Sequence, residues 1–337
     1  MGLKNVLILG ATGAVGREFL DVLEERGFPV GNLILCSSPR SAGARMTFRG
    51  GDVVVSAVDE SQFEGVDIAL FSAGSEPSKV WGPIAVSAGA VVVDNSSAFR
   101  MDPEVPLVVP EINFDSVRPQ DKLIANPNCT AIILMMAVFP LTRLGKVRRL
   151  VVSTYQSAGG AGIAAVRELE NQTRALLEGR PPAPEVFPHP IAFNVFSHNS
   201  AVDVDGWNGE ERKVVQECRK ILGDSDLGIN VTCVRVPVRR AHTESITIEF
   251  EDRAPSEDEV RRALCEFPGV RVVDDRANNR FPMPSEAEGG DDVLVGRIRA
   301  DVSHPSAISL MACGDQLRKG AALNAVQIAE RVIAREG

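Results

Sequence analysis

Short apolar runs alternate with amphipathic stretches up to about residue 125. NVLILG (5–10) is apolar at consecutive positions, as in a strand buried on both faces. Residues 14–27 place Val15, Phe19, Val22 and Leu23 at helical spacing, and Gly27 marks the end. NLILCSS, DVVVSAV, DIALFSAG and AVVVDNSS are further short strands rich in Val, Ile and Leu. The alternation predicts a mostly parallel sheet with helices on both faces.

The pattern changes after residue 130. RRLVVSTYQS, INVTCVRVPV, ESITIEFE and VLVGRIRAD are longer strands that suit a mixed or antiparallel sheet. Helices are expected at about 161–178 and 209–222 between them. The proline-rich segment 179–207 has few regular periods and reads as a long ordered loop, a kind that usually serves function or an interface. A last helix, about 315–335, resembles the early ones. The expected organisation is a doubly wound, Rossmann-like domain over 1–128 plus 315–337, with the C-terminal helix returning to it. An α+β catalytic and dimerisation domain with a mixed sheet covers 129–314.

With 337 residues, 44% hydrophobic and 24% charged, the chain has the composition of an ordinary globular protein. A net charge of −9 and 5% aromatics argue against a nucleic-acid surface. MGLKNVLILG reads as a strand entering a glycine turn and not as a leader, and the apolar run 131–141 is too short to span a bilayer and contains Pro140. A cytoplasmic location is expected. The six cysteines, at 36, 129, 218, 233, 265 and 313, form no CxxC pair and have no histidine at ligand spacing, so neither a metal site nor a disulfide framework is expected.

GATGAVG (10–16) follows the first strand and opens the first helix. Gly10, Gly13 and Gly16 allow a tight turn and the approach of a phosphate to backbone N–H groups at a helix N-terminus. An NAD site usually carries a carboxylate after the second strand. This chain has CSSPRSAG there, with Ser37, Ser38, Arg40 and Ser41, which suits the 2′-phosphate of NADP.

ANPNCTAI (125–132) puts Cys129 at the predicted N-terminus of an apolar helix. A free thiol, of pKa near ~8.5, is only slightly ionised at neutral pH, and a helix N-terminus that brings it near neutrality leaves about half of it as thiolate. Such a cysteine suits a nucleophile. The other five sit inside strand or helix patterns and read as inert buried thiols. A proton shuttle must come from His189, His198, His242 or His304. His242 lies near Arg235, Arg239 and Arg240, which favours a neutral imidazole, but the residues alone do not separate it from the rest.

GATGAVG, SSPRSAG, DNSSAFRMDPEVPLVVPEIN (94–113), NPNCTAI, STYQSAGGAG (153–162), EERK (210–213), CVRVPVRRAHTES (233–245), VGRIRAD (295–301) and DQLRKGAALNAVQIAE (315–330) span almost the whole chain in order. In them the chain resembles the bacterial aspartate-β-semialdehyde dehydrogenases, which are NADP-dependent phosphorylating aldehyde dehydrogenases. The resemblance implies reversible conversion of L-aspartate-4-semialdehyde and phosphate to L-aspartyl-4-phosphate, run in the cell as the reduction toward lysine, threonine and methionine. It implies Cys129 as nucleophile, Gln156 as an orienting group and His242 as acid/base. Arg235 would hold the substrate carboxylate, Glu210 its ammonium, and Arg100, Asn128 and Lys213 the phosphate. Cofactor contacts would extend to Thr12, Ala14, Val15, Gly74, Ser157, Gly159 and Asn324. A homodimer or dimer of dimers is implied, with no membrane or nucleic-acid partner. Trp207-Asn208 and FSHNS (196–200) depart from the family pattern and are expected to lie clear of the catalytic set.

N-acetyl-γ-glutamyl-phosphate reductase shares fold and thioester chemistry, but its acylated amine offers Glu210 no charge. A short-chain dehydrogenase needs Tyr-x-x-x-Lys, and Tyr155 has Gly159 four residues on. A non-catalytic NADP-binding module would not need Cys129, Gln156, Arg235 and His242 together.

Overall fold

The computed structural model of the chain describes residues 2–336; Met1 and Gly337, which the expected first domain includes, lie outside them. The chain divides into two compact units, one running to Asn128 and resuming at Gly320, the other Cys129–Lys319. The return comes at Gly320 and not at 315 because the intervening residues are tied into the second unit. Arg240 donates to Asp315 at 2.6 Å, and Arg318 donates to Asp291 at 2.7 Å. The expected helix at 315–335 accordingly begins later, with a wide π turn at Arg318–Ala322 before the regular helix Leu323–Glu336.

The first unit contains β1 (Lys4–Leu9), α1 (Ala14–Glu25), β2 (Val30–Ser37), β3 (Arg45–Phe48), β4 (Gly51–Ala57), β5 (Ile68–Phe71), α2 (Ser75–Ser87), β6 (Val91–Asp94), α3 (Pro110–Asn113) and β7 (Leu123–Ala125). Its seven-stranded sheet has the order β3-β4-β2-β1-β5-β6-β7 and is parallel except at β3. Side chains alternate across it as the pleat requires. Val6 and Ile8 join Phe19, Val22 and Leu23 of α1 and Val326 and Ala329 of the C-terminal helix. Leu7 and Leu9 join Phe63, Phe71 and Trp81 on the other face. The pattern of short strands did not show β3. Its hairpin turns at Arg49 (φ 49°) and Gly50 (φ 75°), and an arginine hides the turn from a composition-based reading. The Arg49 guanidinium is anchored on the Phe28 and Val30 carbonyls.

The second unit contains α4 (Cys129–Val138), β8 (Val147–Gln156), α5 (Ile163–Leu177), β9 (Phe196–Ser197), α6 (Gly209–Leu222), β10 (Gly228–Arg235), β11 (His242–Phe250), α7 (Glu257–Cys265), β12 (Val270–Val272), α8 (Pro284–Ala287), β13 (Val293–Ala300) and β14 (Ala307–Gly314). Its sheet, in the order β12-β13-β14-β11-β8-β10-β9, is mixed. The sequence pattern did not reveal β14 (AISLMACG), because an apolar run without alternation fits helix or strand. Thr130 through Val138 of α4 are all buried, as befits a helix apolar on every side. Truncating Ile133 or Leu134 there to Ala would cost ~2–5 kcal/mol. Strand β8 buries Leu150, Val152, Thr154 and Gln156 and exposes Val151 and Tyr155 on the opposite face.

The 179–207 segment is irregular but anchored. Gln172 of α5 accepts from the Ile191 and Ala192 amides at 2.8 and 3.2 Å, and Glu168 accepts from those of Glu185 and Val186. Among the described residues no helix is long and apolar enough to cross a membrane, and no group of three or more His, Cys, Asp or Glu could hold a metal ion.

Candidate active site

Three neighbouring strands of the second unit carry the polar cluster at their ends. Gln156 closes β8, Arg235 closes β10 and His242 opens β11. Parallel register aligns Arg235 with Gln156, and antiparallel pairing sets Thr243 opposite Tyr155. Helix α4 supplies Cys129 as its first residue, and α6 supplies Glu210 and Lys213 from its first turns. These are the catalytic and substrate residues that the resemblance assigns to this unit, and among them Gln156, Glu210 and Lys213 are joined directly. The Gln156 amide donates to Thr130 Oγ1 at 3.1 Å and to Glu210 at 3.2 Å, joining the start of α4 to that of α6. Lys213 pairs with Glu210 at 3.5 Å.

His242 is fully buried, and its Nδ1 accepts from the Ser157 amide at 3.0 Å. That bond places the imidazole proton on Nε2, which has no partner among the described residues. Burial, then the charge of Arg235, pushes its pKa down to about 3, so the ring is neutral at pH 7. Arg235 is buried and donates to the Ser157 carbonyl at 2.6 Å, and the Phe187 ring lies 5.4 Å from its guanidinium carbon. Burial lowers its pKa, and Glu210 and Cys129 oppose that. Arg235 and Cys129 are thus close enough to interact electrostatically.

Cys129 is partly exposed. Burial pushes the Cys36 and Cys313 thiols up to about 12 and raises Cys218 and Cys233 as well. Those four are inert, as expected. Cys265 is not buried: it is exposed on the last residue of α7, one residue beyond Leu264 and so rotated off the Val260–Leu264 face.

In the first unit the glycine loop has the form a dinucleotide requires. Gly10 has φ 87°, and a Cβ there would stand 2.7 Å from the Ser72 carbonyl group. A Cβ on Gly16 would stand 2.3 Å from the Gly10 oxygen. Gly13 caps α1 with no side-chain hydrogen bond, which leaves the first-turn N–H groups of Ala14 and Val15 clear of any side-chain cap. The loop lies between β1 and β5, where the strand order reverses, with Gly74 (φ 90°) after β5. Thr12 Oγ1 meets Ser37 Oγ at 3.0 Å and Ser41 Oγ at 3.4 Å, and Ser38 and Arg40 are exposed beside them.

The remaining residues that the resemblance assigns to cofactor or phosphate have protein partners as well. Ser157 spends its amide on His242 and its carbonyl on Arg235. Gly159 passes under Arg239, where a Cβ would stand 2.7 Å from the carbonyl oxygen. The Asn324 amide donates to the Val108 carbonyl and to Asn126, bracing the interior of the first unit. Arg100 is buried there and braced on the Asn126 and Asn95 carbonyls, and Asn128 is buried too.

A family model described as the NAD binding domain of semialdehyde dehydrogenase matches residues 5–119, and one described as its dimerisation domain matches 138–319. An aspartate-semialdehyde dehydrogenase of Synechocystis is 53% identical over 331 residues, 98% of each chain. The chain belongs to the aspartate-semialdehyde dehydrogenase family. The crystal structure of aspartate semialdehyde dehydrogenase II from Vibrio cholerae aligns with a TM-score of 0.95 at 44% identity, covering 98% of this chain and 99% of that one. Its complex with ASA aligns equally well, at 43% identity and 99% of each chain.

Two departures from the family pattern do touch the cluster, contrary to the expectation that they lie clear of it. Asn208 caps α6 and accepts from the Glu210 amide at 3.0 Å. His198 and Asn199, in FSHNS, accept from Arg235. The capping box Asn208-x-x-Glu211 was readable as a helix start. Nothing local marks His198, because its partner lies 37 positions away.

Proposed function

We propose that the chain is a phosphorylating aldehyde dehydrogenase that interconverts L-aspartate-4-semialdehyde and L-aspartyl-4-phosphate with NADP and phosphate. The reductive direction serves lysine (through diaminopimelate), threonine and methionine synthesis in the cytoplasm. The supporting observation is that Gln156 ties Thr130, next to Cys129, to Glu210 in a buried network that also holds Arg235 and His242 at the strand ends. Opposite charges on Arg235 and Glu210 suit the carboxylate and ammonium of one small amino acid. An acylated amine carries no charge, so it would give the buried Glu210 carboxylate nothing beyond its Lys213 and Gln156 contacts, which disfavours the N-acetylglutamyl substrate.

In the reductive direction the Cys129 thiolate attacks the acyl carbon, the C–S bond forms, and the C–O bond to phosphate breaks with its electron pair. Arg100, Asn128 and Lys213 are assigned to phosphate by the family resemblance. The oxygen of the tetrahedral species gains charge at each addition, and the neutral His242 Nε2–H is its donor, a bond typically worth ~3 kcal/mol at such a step. Bound NADPH supplies the hydride that reduces the thioester. Collapse then re-forms C=O, breaks C–S and returns the thiolate beside Arg235. Gln156 holds Glu210 throughout.

Gly10, Gly13 and Gly16, with Thr12, Ala14, Val15 and Gly74, would cradle the dinucleotide. Ser37, Ser38, Arg40 and Ser41 would take the 2′-phosphate, which selects NADP over NAD. The exposed sheet face with Val151 and Tyr155 suits a second copy, giving a homodimer or a dimer of dimers. Phosphate-dependent NADP reduction by L-aspartate-4-semialdehyde, run beside N-acetyl-L-glutamate-5-semialdehyde and with NAD as a control, tests the reading. Turnover of only the acetylated aldehyde, or none in protein that binds NADP, would refute it.

A further inference from the structure

The loop after α5 returns to the site through β9, which pairs antiparallel with β10 so that Phe196 stands opposite Arg235. The next amide, His198 N–H, donates to the Cys233 carbonyl at 2.9 Å. This backbone register carries the His198 ring to Arg235. Arg235 Nη2 lies 2.9 Å from His198 Nε2 and 3.2 Å from Asn199 Oδ1. On its other side, Nη1 is taken by the Ser157 carbonyl, while Nε is buried with no partner among the described residues.

Proton bookkeeping fixes the state of His198. An arginine in a protein keeps its protons, so Nε2 must accept from Nη2. The single proton of the neutral ring therefore sits on Nδ1, facing Ser200 Oγ at 3.1 Å. The Ser200 amide also points at Nδ1, at 3.2 Å, and a neutral ring cannot accept at both nitrogens; the charged Arg235 donor, closer at 2.9 Å, makes the stronger bond and takes the lone pair of Nε2. Ser200 Oγ in turn donates to Asn208 Oδ1 at 3.3 Å and accepts from the Glu210 amide at 3.0 Å. One chain of hydrogen bonds thus runs from Arg235 through His198 and Ser200 to the first turn of α6.

Resting on the proposed function, we propose that His198 is a positioning residue that fixes the Arg235 guanidinium relative to Glu210, and so sets the spacing at which the enzyme grips the carboxylate and ammonium of its amino-acid substrate. A neutral, single-tautomer imidazole is required for this, because an imidazolium would aim an N–H at the guanidinium. Burial holds the His198 pKa down to about 4; Glu210 opposes this and Arg235 and Lys213 add to it, with His242 the other titratable group in reach. At pH 7 the ring is the acceptor the geometry needs. Asn199 supports the same Nη2, and the Phe187 ring flanks the guanidinium.

The test uses the full-length chain with His198→Ala and His198→Gln, the latter restoring an acceptor oxygen. The KM for L-aspartate-4-semialdehyde should rise ~tenfold or more in His198→Ala, the scale of one lost hydrogen bond to a charged group. The KM for NADP should stay within about twofold, since the dinucleotide is assigned to the glycine loop of the first unit. Weak turnover of 3-aminopropanal, which lacks the carboxylate, should be unchanged, and His198→Gln should recover most of the lost affinity. An unchanged KM in His198→Ala, an equal loss with 3-aminopropanal, or no recovery in folded His198→Gln would overturn the inference while leaving the proposed function standing. If His198→Ala does not fold, Asn199→Ala should raise the same KM by a smaller factor, and an unchanged KM there overturns the inference too. A wild-type enzyme silent toward the semialdehyde overturns both readings.

Discussion

The glycine loop of the first unit and the polar cluster of the second are built from opposite materials. The loop works by what it lacks: Gly10 and Gly16 stand where any Cβ would strike backbone, and no side chain caps the helix that follows. The cluster works by side chains that are buried and bonded to one another, namely Gln156, Glu210, Arg235 and His242. A backbone site tolerates no addition, whereas a side-chain site tolerates no deletion. The two should therefore fail in different ways when mutated.

The largest effect is expected at the cluster. Cys129→Ser should lower turnover by ~10⁴-fold or more, the scale of losing a nucleophile, with NADP binding retained. Stopped-flow turnover and fluorescence titration check both halves, and residual turnover within tenfold of wild type would remove Cys129 from its role. At the loop the damage should come from one added methyl. Gly16→Ala must push backbone apart, at ~1–3 kcal/mol, so the NADP Kd should rise on the order of ten- to a hundredfold. The rate of Cys129 alkylation by iodoacetamide should stay within about twofold. Intact NADP affinity would show that the loop is not the phosphate cradle.

A third expectation concerns Glu244, fully buried on β11 with neither oxygen partnered among the described residues. Burial holds its carboxyl well above the ordinary value of 4.5, so the folded form keeps a proton that the unfolded chain releases. Stability from this group is full below pH 4.5 and is lost as pH rises toward the folded pKa, by ~1.4 kcal/mol per pH unit in that window. Glu244→Gln has no such slope. Its melting temperature relative to wild type should climb as pH rises above 5, and parallel curves would show that the carboxyl is ionised in the fold. The smallest effect is expected at Arg40, exposed beside the Thr12–Ser37 contact. Arg40→Ala should weaken NADP by about fivefold and leave NAD unchanged, as loss of one charged contact to a 2′-phosphate would. Equal weakening of both would assign Arg40 elsewhere.

The same contrast explains what the sequence made legible. The glycine loop is local: its residues are consecutive, and its strand and helix follow the apolar periods around it. Helix α6 was bounded at 209–222 as observed, because Asn208 caps it and Gly223 ends it in a left-handed conformation. The cluster is non-local. Gln156, Arg235 and His242 meet only through sheet register, which no spacing reveals, and they were legible only through the family resemblance. His198 shows the limit: it bonds Arg235 across 37 positions from a loop with little periodicity of its own. Strand β14 was missed for a different reason. Its run is buried through most of its length, so no alternation betrays it.

The bond from the Ser157 amide to His242 Nδ1 has a further consequence. That N–H is fully buried and bonded to the lone pair of a ring, not to a carbonyl. Deuterium can replace it only when the strand ends part or the ring swings away, so its exchange rate reads the integrity of the site directly. Its proton chemical shift responds to the electron density on the imidazole. A single main-chain resonance thus reports whether His242 is neutral while the rest of the protein remains silent.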